Sequence, residues 1–332
     1  MNNIVFDRGK TTIIKGFAIV FMIILHVFGG AGWYDVDLPM NHNEKLMDFM
    51  KTFKICVGIF VFMVGYGYAF SKSKDFVYSV RHIKNLLHSF WIILFVFVFP
   101  AAVNSIGGGR ELIYNMLGVS STLCWVSWFV YFYIWAMIIM PFLSRLIDRK
   151  PILWMPILMI LIYGSLALEK KFVLVSYSNY WTQALFNCLL ETPLMLLGYV
   201  FAKQNIYGKL KVPTKWITIL GAIVVAAIIL IARAFTRGPA RVIAELIYAP
   251  GIILCILATF TAKPLKYVSK VMQELGDKSV YMWFFHSIFF TAATRSTYQH
   301  FVLISDNLWI ITIWTIILSY VCSYIIKKIV DI

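Results

Sequence analysis

The chain has 332 residues, 61% of them hydrophobic and only 14% charged, with a mean hydropathy of +0.81. A soluble globular domain is about 45–50% apolar and about 25% charged, so this composition excludes a soluble protein and describes an integral membrane one. The net charge of +15 would raise nucleic acid as a partner in a soluble chain; here its placement points elsewhere.

A spanning helix needs about 20 mostly apolar residues. Ten stretches qualify as predicted spans: 13–32, 53–70, 86–103, 123–142, 151–168, 182–202, 215–234, 243–262, 279–294 and 308–326. The expected fold is all-α: a polytopic membrane bundle of about ten helices, with 1–332 as a single transmembrane domain. Twenty of the 30 Lys and Arg residues fall on the side that holds both termini, and ten on the other. The positive-inside rule therefore puts both termini in the cytoplasm. The charge serves topology and contact with membrane lipids, not nucleic acid.

The first span contains "KGFAIVFMIILH", Lys15 to His26. Eleven residues of helix give three turns plus about 20°, and an axial separation of about 16–17 Å. Both side chains thus share one face, Lys15 near the cytoplasmic surface and His26 deeper. Lys15 reads as a snorkelling anchor or as part of a site. His26 reads as a ring bonded across helices or as a functional group, since ionisable residues at membrane depth are costly. Gly29-Gly30-Ala31-Gly32 offers small residues for signal cleavage, but the apolar run exceeds a signal-peptide core and nine more spans follow. The first span is expected to be retained.

The outer loop "GWYDVDLPMNHNEK" carries Asp35, Asp37, His42 and Glu44 among aromatics, a sugar-binding composition or a solvated loop. Ahead of the third span, Arg81, Lys84 and His88 share one helical stripe. Glu191 is an acid at membrane depth in the sixth span, expected to orient a histidine or meet an arginine. Arg233, Arg237 and Arg241 gather on the outer side against the charge trend; they suit an anionic glycan, a lipid-linked diphosphate or lipid headgroups. His286 lies within "WFFHSIFF", as a polar wall of a tunnel or as a ring bonded to Ser287 or a neighbouring helix. The five cysteines sit in apolar stretches without zinc spacing, so no metal site is expected. Walker A, GxSxG and HExxH motifs are absent.

Six stretches in chain order carry a resemblance: "IIKGFAIVFMIILH", "GIFVFMVGYGYAF", "VRHIKNLLHSFW", "WVSWFVYFYIWAMIIMPFL", "LGYVFAK" and "LGDKSVYMWFFHSIFF". Together they resemble the bacterial acyltransferase-3 family of membrane O-acyltransferases. That family's first helix has an arginine, ten residues, then a histidine; Lys15 and His26 hold those positions here. Thr12 stands where an aspartate is usual and Val64 where a serine is common.

The resemblance implies a multi-pass enzyme of the bacterial cytoplasmic membrane. Acetyl-CoA would be the acyl donor from the cytoplasm, and a hydroxyl of a surface, exported or lipid-linked glycan the acceptor. His26 would act as general base or acyl relay, with Glu191 and His286 beside it. Lys15, Arg81 and Lys84 would hold the donor's phosphates; for Arg81 and Lys84 the other reading is ordinary positive-inside charge. Many relatives carry an added C-terminal extracytoplasmic domain; a stand-alone form is expected here. The competing readings are a transporter or flippase of lipid-linked sugars, for which no internal repeat is found, and a non-enzymatic membrane protein.

Overall fold

A computed structural model describes the chain except residues 30–33, 37, 40–42, 72, 173–179, 264 and 331–332; for 168–172 and 239 it describes the backbone alone. The protein is an α-helical bundle. Its main helices are α1 (Arg8–Val27), α2 (Ile55–Ala69), α3 (Phe76–Ile93, running on through irregular turns to Ser105), α4 (Trp128–Arg149), α5 (Trp154–Phe172), α6 (Tyr180–Lys203), α7 (Trp216–Phe235), α8 (Pro239–Ala262), α9 (Lys266–Asp277), α10 (Ser279–Ser287) and α11 (Leu308–Val330).

Among the described residues, seven helices are long and apolar enough to cross a membrane: α1, α3, α4, α6, α7, α8 and α11. The other three predicted spans are shorter. The 53–70 stretch is the 15-residue α2. The 151–168 stretch is a shorter apolar helix, Pro151–Ala167. The 279–294 stretch is the nine-residue α10 followed by turns. The physical reason differs between them. From Ile55 to Met63, α2 is buried without a break, so it is apolar all round because protein surrounds it. The turns at 288–291, directly after α10, are buried too, as irregular backbone at membrane depth must be. On α7, by contrast, Ile217, Leu220, Ile223, Val224, Ile228 and Ile231 are exposed, as lipid-facing residues would be.

Two crossings bring backbones together. At the α2–α6 crossing, a Cβ on Gly65 would collide with the Met195 carbonyl, and one on Gly198 with the Phe62 carbonyl. At the α1–α9 crossing, Gly16 meets the Met272 carbonyl and Gly276 meets the Thr12 carbonyl in the same reciprocal way. Small residues allow such approach between membrane helices, where van der Waals packing does most of the holding.

Polar contacts mark the two ends of the bundle. At one end Asn2–Asn3 pairs antiparallel with Lys211–Val212. Asp148 there receives Lys74 at 2.8 Å, Lys203 at 3.1 Å and the Tyr199 hydroxyl at 2.7 Å, and Lys327 meets Asp277 at 2.5 Å. Both ends of the chain therefore lie at this basic end, the one the charge count assigns to the cytoplasm. At the opposite, outer end Arg295 pairs with Asp35 at 2.8 Å.

Candidate active site

The first helix begins cleanly because the Asp7 carboxylate accepts the Lys10 N–H at 2.8 Å, satisfying one donor of the first turn. At its far end the Tyr34 hydroxyl donates to the Val27 carbonyl, one of the acceptors a helix terminus leaves open. His26 sits in that last turn, only 5% exposed, with the Trp125 ring edge-on at 4.1 Å.

The α10 helix delivers the second ring. His286 is fully buried one residue before that helix ends. Its Nε2 lies 2.7 Å from His26 Nδ1, and its Nδ1 lies 2.9 Å from the Met282 carbonyl one turn back. These partners fix the protons of a neutral pair. A carbonyl only accepts, so His286 Nδ1 carries a hydrogen. Nε2 of that ring is then an acceptor, and His26 Nδ1–H donates to it. The basic lone pair of His26 is consequently on Nε2, the atom able to take a proton from a substrate. Of the two expectations for His286, the interhelical bond is the one found; Ser287 instead donates to the Phe284 carbonyl and lies 3.3 Å from Cys124 Sγ.

His26 lines a cavity of about 700 Å³ that extends from Gly238 and Lys51 at the outer end down to Glu191 and the histidine, within the range of ligand sites. Trp125, Trp128 and Trp283 form aromatic wall. Lys51, Lys54, Arg233 and Arg241 add cations, and Glu191 and Glu245 add carboxylates.

Arg233 is a clasp. Its side chain, 4% exposed, reaches Glu245 at 2.5 Å and donates to the carbonyls of Lys51 at 3.2 Å and Thr52 at 2.9 Å. It thereby ties the α7–α8 hairpin to the start of α2. Arg241 approaches the same Glu245 oxygen at 3.7 Å. Arg237 is exposed and outside the cavity. The three arginines thus have three different places, and only Arg233 and Arg241 meet the site.

Glu191 lines the cavity within the field of Glu245, Lys54, Arg241 and Arg233, and no hydrogen bond or ion pair ties it to either histidine among the described residues. Lys15 is half-buried on α1 toward the basic end, and Arg81, Lys84 and His88 are exposed on α3; none of the four lines the cavity. The structure thus joins His26 to His286, puts Glu191 on the same cavity, and leaves Lys15, Arg81 and Lys84 apart from it. In the outer loop, Asp35 is held by Arg295 and by Gln299, which accepts its N–H at 2.9 Å. Glu44 opens a short helix, Glu44–Met50, whereas Asp37 and His42 lie outside the described residues.

Sequence reasoning missed Glu245, Lys51 and Lys54 as site residues. A signal existed for the lysines: they stand three apart just ahead of an apolar run on the lysine-poor side. For Glu245 there was only its spacing from Arg233, which has meaning once the helices are known to fold into a hairpin.

Neither the curated proteins nor the solved structures gave a match to the chain. The family model described as an acyltransferase domain, acyltransferase 3, matches residues 11–328. With nearly the whole chain covered by that match, and an α-helical membrane bundle carrying a buried histidine on the wall of a polar cavity, the protein belongs to the acyltransferase-3 family.

Proposed function

We propose that the protein is a membrane O-acyltransferase that moves an acetyl group from cytoplasmic acetyl-CoA to a sugar hydroxyl of a surface or exported glycan, free or lipid-linked, across the bacterial cytoplasmic membrane. The observation that carries this reading is the hydrogen-bonded chain Met282 carbonyl–His286–His26 ending on the wall of the outer cavity. A base for acyl transfer must reach the proton it removes, and an orienting partner fixes its tautomer.

The acceptor hydroxyl enters the cavity and hydrogen-bonds to His26 Nε2. Its oxygen attacks the thioester carbonyl as the ring takes its proton. The C–S bond then breaks, the new ester forms, and the proton passes from the imidazolium to the departing thiolate. In the relay variant the acetyl group rests on His26 before the sugar arrives. Lys15, Arg81 and Lys84, on the basic side, hold the donor's phosphates by charge-assisted hydrogen bonds.

The test uses the full chain in native membrane vesicles, which supply the glycan acceptor, with radiolabelled acetyl-CoA. Release of free CoA is expected from the wild type and from Arg237→Gln, an exposed control, and is expected to vanish in His26→Ala. Equal turnover by His26→Ala would overturn the assignment of the base; no thioester turnover by the wild type would overturn the donor.

A further inference from the structure

The cavity holds more positive charge than its own acids can answer. Of its four cations, Lys51 already pairs with Asp48 at 2.7 Å, and Arg233 is taken by Glu245 and two carbonyls. Two remain. Arg241 must share the Glu245 oxygen that Arg233 holds more closely, and its side chain is 38% exposed. Lys54 lines the cavity with no ion-pair partner within 4 Å among the described residues. Glu191 is the one carboxylate of the cavity outside that clasp. Topology does not account for these cations, because they stand at the lysine-poor end of the bundle. A neutral sugar does not need them.

Resting on the reading that a glycan acceptor enters this cavity, we infer that the acceptor is anionic, and that Lys54 and Arg241 seat its phosphate or carboxylate group. The chemistry of the two side chains fits one oxygen-rich anion. A guanidinium offers a planar fork for two oxygens, and an ammonium offers a compact point charge beside it. Glu191, on the same wall, would repel that anion and accept from neutral hydroxyls instead. The charge pattern therefore orients the acceptor: anionic group toward Lys54 and Arg241 at the outer end, sugar hydroxyls toward Glu191 and His26.

The test uses inorganic pyrophosphate and glucuronate as probes, with the full chain in phosphatidylcholine nanodiscs. Binding is read from the fluorescence of the tryptophans in the wall, Trp125, Trp128 and Trp283. Both anions are expected to give a saturable change, and neutral glucose none at the same concentration. Lys54→Gln and Arg241→Gln are each expected to weaken the anions about tenfold or more, as loss of a charge-assisted hydrogen bond does. Lys54→Arg and Arg237→Gln are expected to keep binding, the first showing that the position tolerates substitution.

Absence of saturable binding, or equal loss in Arg237→Gln, would overturn the inference. If anionic phosphatidylglycerol nanodiscs abolish probe binding that phosphatidylcholine discs allow, the anion is a lipid headgroup and the acceptor assignment falls. Thioester turnover is measured on the same variants in native membrane vesicles that carry the acceptor. Turnover without anion binding removes this inference and leaves the acyltransferase reading standing; anion binding without turnover overturns the acyltransferase reading and, with it, the assignment of the bound anion as an acyl acceptor.

Discussion

The imidazoles of His26 and His286 lie parallel to within 2°, their centroids 4.9 Å apart, joined by one hydrogen bond of 2.7 Å although 260 positions separate them in the chain. The second ring gives the first a fixed tautomer, and under the proposed mechanism that makes His286 a positioning residue. A glutamine there offers one acceptor for His26 Nδ1–H and one donor for the Met282 carbonyl, as the neutral ring does. His286→Gln is therefore expected to retain most transfer activity, and His286→Phe, of similar bulk, to lose about 10–100-fold in kcat with KM for the donor unchanged. His26→Gln should lose about 10²–10⁴-fold, the usual worth of a general base. Initial-rate kinetics with labelled acetyl-CoA check all three; equal activity of the Gln and Phe variants at 286 would show that the interhelical bond does not matter.

The α2–α6 crossing predicts a sharp difference between glycines. Gly65 and Gly198 have backbone carbonyls where a Cβ would go, whereas Gly67 has nothing within 4 Å. Gly65→Ala and Gly198→Ala should each cost about 1–3 kcal/mol, the range for overpacking. Gly67→Ala should be neutral or slightly stabilising. Thermal melts in a mild detergent, followed by tryptophan fluorescence, separate the three.

Removing Arg233 should harm the protein more than removing it together with its partner. Arg233→Met leaves the Glu245 carboxylate largely buried beside a single, more distant guanidinium, and breaking a buried pair costs about 3–5 kcal/mol. Arg233→Met with Glu245→Gln removes the stranded charge, though the Lys51 and Thr52 carbonyls still lose their donor. The double variant should melt above the single one. The opposite order would mean that Arg233 acts through those carbonyls alone.

Acid should loosen α9 first. The hydrogen bond from Lys278 holds the Glu274 carboxyl below its ordinary value, and the one from Lys327 does the same for Asp277. A carboxylate depressed in the folded state contributes stability that is fully present above the ordinary range of about 4 and fades as pH falls through the lower folded value. Both side chains are about half exposed, so screening keeps the effect small. Amide protection in α9 should stay level from pH 7 to about 5 and decline below about 4. In a Glu274→Gln, Asp277→Asn variant it should start lower and stay flat across that window.

Hydropathy made the membrane class and seven of the spans legible, and spacing put Lys15 and His26 on one face. Hydropathy reads apolarity without saying what surrounds it. That is why α2, enclosed by protein, and the stretch that begins with α10 carry the same apolar signal as the longer helices. The candidate site was half legible. His26, Glu191 and His286 were visible as ionisable groups in apolar surroundings, which is a local property. The proton order of the dyad, the Arg233–Glu245 clasp and the place of Lys54 on the cavity wall depend on contacts between distant helices, which one sequence does not encode in its spacing. In the donor-side group, Lys15 came from the first-helix pattern and Arg81 and Lys84 from a basic helical stripe; all three sit away from the cavity.

The reciprocal glycine contact between α1 and α9 has a geometric result at the far end of both. Gly16 precedes His26 by ten residues, and Gly276 precedes His286 by ten, with only Lys278 between α9 and α10. The two segments are the arms of a caliper, pivoted where the glycines touch and closed where the rings meet. Thickening the pivot by one methyl group opens the jaws. Gly16→Ala would thus part the two rings without substituting either of them.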